Sequence, residues 1–92
     1  MFIKAGHRLS LQYHEKKEET IKVLSGTLEL ILKDNLEAPA QKKYLSTGET
    51  FHIVPGLIHR FSATQAHGDV KLMEVSTTEL SDVVRLEDDY GR

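Results

Sequence analysis

Polar and apolar residues alternate along most of this chain. Residues 8–14 read Arg-Leu-Ser-Leu-Gln-Tyr-His, so an extended segment would place Leu9, Leu11 and Tyr13 on one side and Ser10, Gln12 and His14 on the other. A period of two is the signature of a strand, whose successive side chains point to opposite faces. Two further strands are expected over 20–25 and 27–33, broken at Ser25-Gly26. In the second of these, Leu28, Leu30 and Leu32 share a side and read as core. Strands are also expected near 42–46 and over 50–54, 58–63 and 70–76, with turns at Thr47-Gly48-Glu49, Pro55-Gly56 and His67-Gly68-Asp69. Residues 15–19 form a charged loop, and Asp34 to Ala40 an exposed one. A short helix over 77–82 is the one helical candidate. Six or seven short strands spaced roughly 8–12 residues apart predict an all-β sandwich or barrel. With no internal repeat, residues 1–92 read as a single domain.

Composition narrows the setting. A chain of 92 residues with 39% apolar content supports one thin core. The stripe of Leu9, Leu11 and Tyr13 lies opposite the polar face and would point out of a barrel. Soluble monomers avoid large apolar patches, so a homodimer is expected, unless Val83, Val84 and Leu86 fold back over the stripe. The net charge of −2 shows no basic excess, which argues against nucleic acid as a partner. The absence of cysteine excludes disulfides and thiolate metal sites. No apolar run approaches the ~18 residues of a membrane span. The start, Met1-Phe2-Ile3-Lys4, turns polar too soon for a signal peptide, and a cytoplasmic protein is expected.

The candidate chemistry sits on the polar face of the first long strand. Gln12 and His14 project together, Glu19 follows five residues after His14, and His59 lies 40 residues beyond Glu19, just past Pro55-Gly56. Two imidazoles and a carboxylate are a common way to hold a divalent metal while leaving positions open, and the Gln12 amide oxygen is a fourth donor. Zinc, manganese, iron, nickel and cobalt are not distinguished by this set. Such a metal can polarise a carbonyl and stabilise an enediolate, the charge that develops in aldose–ketose isomerisation. A base must still move the proton between carbons. Lys17, Glu49, Glu74 and Arg60 are candidates for proton transfer or phosphate anchoring. Arg60 has the best position, beside His59, and its fork suits a phosphate. His7 and His67 read as surface residues, while His52, alternating with Phe51 and Ile53, lines the pocket or serves the fold.

The spacing resembles a known family. Gly6, five residues, Gln12-Tyr13-His14, four residues, Glu19, six residues and Gly26 resemble the first cupin motif, with Gln12 where the motif has His. Gly48, Gly56 and His59 fall in register with the second cupin motif, although Val54 stands at its Pro position and Ala63 at its Asn. The resemblance implies a small cupin, a jelly-roll or double-stranded β-helix barrel, with Gln12, His14, Glu19 and His59 as metal ligands. A narrower likeness covers nearly the whole chain. Leu9-Ser10-Leu11-Gln12-Tyr13-His14, His59-Arg60 and the tail from Val83 to Arg92 look like the C-terminal cupin domain of type II mannose-6-phosphate isomerases, often fused to a mannose-1-phosphate guanylyltransferase. In that group the metal motif also begins with Gln-x-His. The group has Arg where Lys17 stands and Trp where Ile21 stands, and its nucleotidyltransferase domain is missing here. The likeness implies a metal-dependent isomerase of a sugar phosphate, with Arg60 and Lys17 at the phosphate, and a tail that is either packed or part of an interface. The other readings are a non-catalytic metal- or sugar-binding cupin and an iron-dependent dioxygenase, the latter less suited to Gln12.

Overall fold

A computed structural model describes residues 1–76, 82–87 and 89. The alternation resolves into ten strands among the described residues: β1 (Phe2–Ile3), β2 (His7–Arg8), β3 (Leu11–His14), β4 (Glu19–Ser25), β5 (Leu28–Lys33), β6 (Gln41–Leu45), β7 (Thr50–Ile53), β8 (Ile58–Ala63), β9 (Val70–Ser76) and β10 (Val83–Glu87). The single strand expected over 8–14 is divided, because β2 and β3 pair with β8 at separate places. The two-residue β1 and the C-terminal β10 add to the strands that the alternation predicts. The helix expected over 77–82 lies, apart from Asp82, outside the described residues.

The strands form two antiparallel sheets, ordered β1-β9-β4-β7 and β10-β3-β8-β5-β6, with β2 also on β8. Ile3, Ile21, Val23, Leu28, Leu30, Leu45, Ile53, Phe61, Ala63, Val70 and Leu72 make the core between them. Burying each large aliphatic side chain contributes roughly 1.5–3 kcal/mol, so this cluster drives the closure of the two sheets. Leu28 and Leu30 are fully buried, as their pattern demands. Among the described residues no helix is long and apolar enough to cross a membrane.

The inward positions change character along each strand, and this sets where the site lies. On β4 they run Glu19, Ile21, Val23; on β8 they run His59, Phe61, Ala63. On β9, antiparallel to β4, they run Val70, Leu72 and then Glu74, whose Cα partner is Ile21. The barrel is therefore apolar at one end and polar at the other.

Glycine turns close both ends, and one of them holds the polar end. Gly56 has φ +85°, which favours glycine, and its amide donates to the His14 carbonyl at 2.8 Å. The bond ties the end of β3 to the turn leading into His59. At the apolar end, Gly26 has φ +87°, and a Cβ there would collide with the Asp69 carbonyl oxygen.

Candidate metal centre

The structure brings together three residues distant in sequence. His14 ends β3, Glu19 begins β4 and His59 is the second residue of β8, and each is at most 5% exposed. One ligand atom from each lies within 4.8 Å of the other two. His14 Nε2 stands 4.0 Å from Glu19 Oε1, and the His14 and His59 rings are 5.5 Å apart between centroids. Gln12 joins from the same face of β3, and its Cα partner across the sheet is His59. The Gln12 amide oxygen accepts a hydrogen bond from Ser10 Oγ at 2.6 Å, which fixes the amide and leaves that oxygen a second lone pair.

The hydrogen bonding leaves donors of the right kind without partners. His59 Nδ1 lies 3.0 Å from the Leu57 carbonyl. A carbonyl only accepts, so Nδ1 carries the proton and Nε2 keeps its lone pair. That Nε2 is buried with no hydrogen-bond partner, as are both His14 nitrogens. Buried polar atoms left alone are costly, and a cation held at this point would satisfy them. The chemistry of the set fits a divalent metal: His14, Glu19 and His59 can hold one, with Gln12 beside them.

Burial governs the protonation of the group. Desolvation pushes His59 down to about 4, only partly countered by its bond to Leu57. His14 is also lowered, first by burial and then by the Lys17 charge, with Asp82 opposing. Both imidazoles are therefore neutral near pH 7, the form that binds metal. Glu19 is raised by burial, against the pull of Lys17. Glu74 is raised by burial and then by the Glu19 charge, while solvent still reaches it.

Asp82 is the residue that sequence patterning missed. Its Oδ2 accepts the Lys16 and Lys17 amides at 2.6 and 3.3 Å, and its Oδ1 lies 3.6 Å from His14 Nδ1. That last separation exceeds a hydrogen bond. The carboxylate faces the nitrogen turned away from Glu19, the arrangement that orients a metal-binding imidazole. Burial would raise the Asp82 pKa, but the two amides and His14 outweigh it and hold the carboxyl low. No local signal in the sequence marks an aspartate before a terminal strand.

The other candidates are distributed differently. Lys17 is half-buried in the loop after His14, and its charge is felt by His14, Glu19 and Glu74. Arg60 is not brought to the group. Neighbouring residues on a strand face opposite ways, so Arg60 points outward where His59 points inward. Its guanidinium is buried, donating to the Leu9 carbonyl at 2.9 Å and to Glu87 Oε1 and the Glu87 carbonyl at 3.4 Å each. Glu49 accepts the Ser46 amide in the turn before β7. His52 is exposed, bonded to Glu18 and Thr20. His7 and His67 are exposed.

A cavity of about 350 Å³ is lined by Met1, Leu9, Ser10, Gln12, Phe61, Glu74 and Arg85. Its lining comes from β9 and the residue before β1 in one sheet and from β3, β8 and β10 in the other. His14, Glu19 and His59 are not among its lining residues; of those that are, Gln12 is the Cα partner of His59, and Glu74 feels the Glu19 and His14 charges.

Comparison with known proteins identifies the fold. Residues 1–76 match the Cupin domain family. No curated protein sequence matches the chain. Among solved structures, the capsular polysaccharide assembling protein CapF of Staphylococcus aureus is 19% identical with a TM-score of 0.82, over 95% of this chain and 27% of CapF. The QdtA 3,4-ketoisomerase of Thermoanaerobacterium thermosaccharolyticum, a double mutant in complex with TDP, is 19% identical with a TM-score of 0.73, over 92% of this chain and 63% of that one. Oxalate decarboxylase of Lactobacillus farciminis is 19% identical with a TM-score of 0.76, over 92% of this chain and 25% of that one. At these identities the likenesses show the fold. The chain spans 27% of CapF, well under two thirds of its length. The chain belongs to the cupin domain family.

Proposed function

We propose that this cupin domain is a metal-dependent aldose–ketose isomerase acting on a sugar phosphate, of the mannose-6-phosphate type. One observation carries the reading: the buried, unpartnered His14 and His59 nitrogens converge with Glu19, and Gln12, the Cα partner of His59, lines a cavity of about 350 Å³. His14, Glu19 and His59 would hold the metal, with Gln12 as a fourth donor. When bound, a divalent cation supplies a Lewis acid that polarises a sugar carbonyl.

The chain's own residues supply the remainder. Glu74 stands in the cavity with its pKa raised, so it can take a proton and return it. In the forward direction it removes the hydrogen at C2 of the aldose and delivers it to C1, while the O2 hydroxyl proton passes to O1. The Gln12 amide, locked by Ser10, can orient a sugar hydroxyl. Lys17 adds positive charge near the developing oxyanion. The fold relative QdtA is itself a ketoisomerase, which supports carbonyl migration as chemistry this barrel can host.

The test is a coupled assay of mannose 6-phosphate to fructose 6-phosphate with manganese, zinc, cobalt, nickel or iron(II) added. Turnover should need a metal, vanish in His59→Ala, and fall by at least a hundredfold in Glu74→Gln with metal affinity kept. Metal-loaded protein that binds sugars without turning over any hexose phosphate would establish the binding-module reading instead.

A further inference from the structure

We propose that Arg85 is the anion anchor of the cavity and selects sugars carrying a phosphate at the end remote from the carbonyl. This rests on the isomerase reading above and adds to it the residue that reads the phosphate. Among the described residues there are three arginines, and two are committed elsewhere. Arg8 pairs with Asp89 at the surface, and Arg60 is buried on the outer face, bonded to Leu9 and Glu87. Arg85 instead lines the cavity with Gln12 and Glu74. Among the described residues no carboxylate lies within ion-pair distance of it.

The sheet register places it. Arg85 on β10 is the Cα partner of Gln12 on β3, and Gln12 is the partner of His59 on β8. The three form one row across three strands, so the backbone of Arg85 stands about 10 Å, two strand spacings, from that of His59. A hexose phosphate laid along this row puts its carbonyl carbons at the His59 end and its phosphate at the Arg85 end. The charges agree with that direction. Glu74 feels the charges of Glu19 and His14, and the exposed Arg85 guanidinium supplies the positive charge of the cavity lining. Its planar fork matches two phosphate oxygens, which a lysine cannot do. Holding the remote phosphate spends binding energy on aligning C1 and C2. Arg85 is therefore a positioning residue.

The experiment titrates the manganese-loaded full chain with mannose 6-phosphate and with mannose, in the wild type, Arg85→Gln and Arg85→Lys. The wild type should prefer the phosphate ester at least tenfold. Arg85→Gln should bind the two sugars within about twofold of each other, with unchanged manganese affinity and fold. Arg85→Lys should fall between, keeping charge but losing the fork. Where turnover is measured, KM for mannose 6-phosphate should rise at least tenfold in Arg85→Gln while kcat falls less. Undiminished preference in Arg85→Gln, or no preference in the wild type, overturns the anchor. An Arg85-dependent preference in a chain without turnover keeps the anchor and refutes the isomerase. Turnover with an unchanged KM in Arg85→Gln keeps the isomerase and refutes the anchor.

Discussion

Glu19 shows how one buried residue couples stability to metal. Its pKa is raised, so its stabilising contribution is present below the ordinary carboxyl value of 4.5 and is lost as pH rises through the folded value. Above that folded value the metal-free chain carries a destabilising buried carboxylate. Glu19→Gln should raise the melting temperature of the metal-free chain by about 4–8 °C, the response to ~1 kcal/mol in a domain this size. The same variant should lose most of the stabilisation that manganese gives, about 2.7 kcal/mol for the wild type at a hundredfold excess over Kd. Calorimetry with and without metal checks both. A variant that melts lower in both states would show that Glu19 serves the fold. His59 works with the opposite sign. Its pKa falls from 6.5 to about 4, so the unfolded chain binds a proton in that window that the folded chain refuses. Stability is full above pH 6.5 and drops as pH falls towards 4, by an amount on the order of 3 kcal/mol. Urea unfolding of the metal-free chain between pH 7.5 and 4.5 should show the decline, and His59→Gln should flatten it.

At the scale of elements, turns decide where the ligands stand. Gly26 and Gly48 both have positive φ, yet only Gly26 has backbone against its missing side chain. Gly48→Ala should cost about 1 kcal/mol for its left-handed conformation alone. Gly26→Ala must also displace Asp69 and should cost about 3 kcal/mol or more. Thermal melts of the two variants separate the causes. Equal losses would mean that the β4–β5 corner yields easily. Arg60 belongs to this scale too. Its bonds to Leu9 and Glu87 fasten β10 onto the first sheet segments, which holds Arg85 beside Gln12.

At the scale of the molecule, the sites of exposed apolar surface differ from the expected ones. Leu11 is buried, and β10 extends the sheet beside it with Val84 opposite Tyr13. The outer face of the other sheet instead shows Phe2 at 61%, Val75 at 60%, Met73 at 44% and Leu24 at 43% exposure. A small domain with such a stripe gains by covering it with a second copy. Light scattering at micromolar concentration should give the mass of two chains, and Met73→Glu should give one. A monomeric wild type would sink the homodimer.

The sequence by itself determined the all-β class, most strand positions, and the leucines and aliphatics of the core. These follow from a period of two and from turn residues, both of which are local. It also determined that Gln12 and His14 share a face, because residues two apart on one strand must. The grouping of His14, Glu19 and His59 was legible through motif spacing, not through periodicity. Only the tertiary structure decided what crosses between strands. Asp82 reaches His14 because the chain returns to pair β10 with β3. Arg60, although beside His59 in sequence, turns away because adjacent strand residues face opposite ways. Arg85, 26 residues from His59, joins its row through the register of three strands. Register depends on which faces can be buried together, and that is a property of the whole barrel.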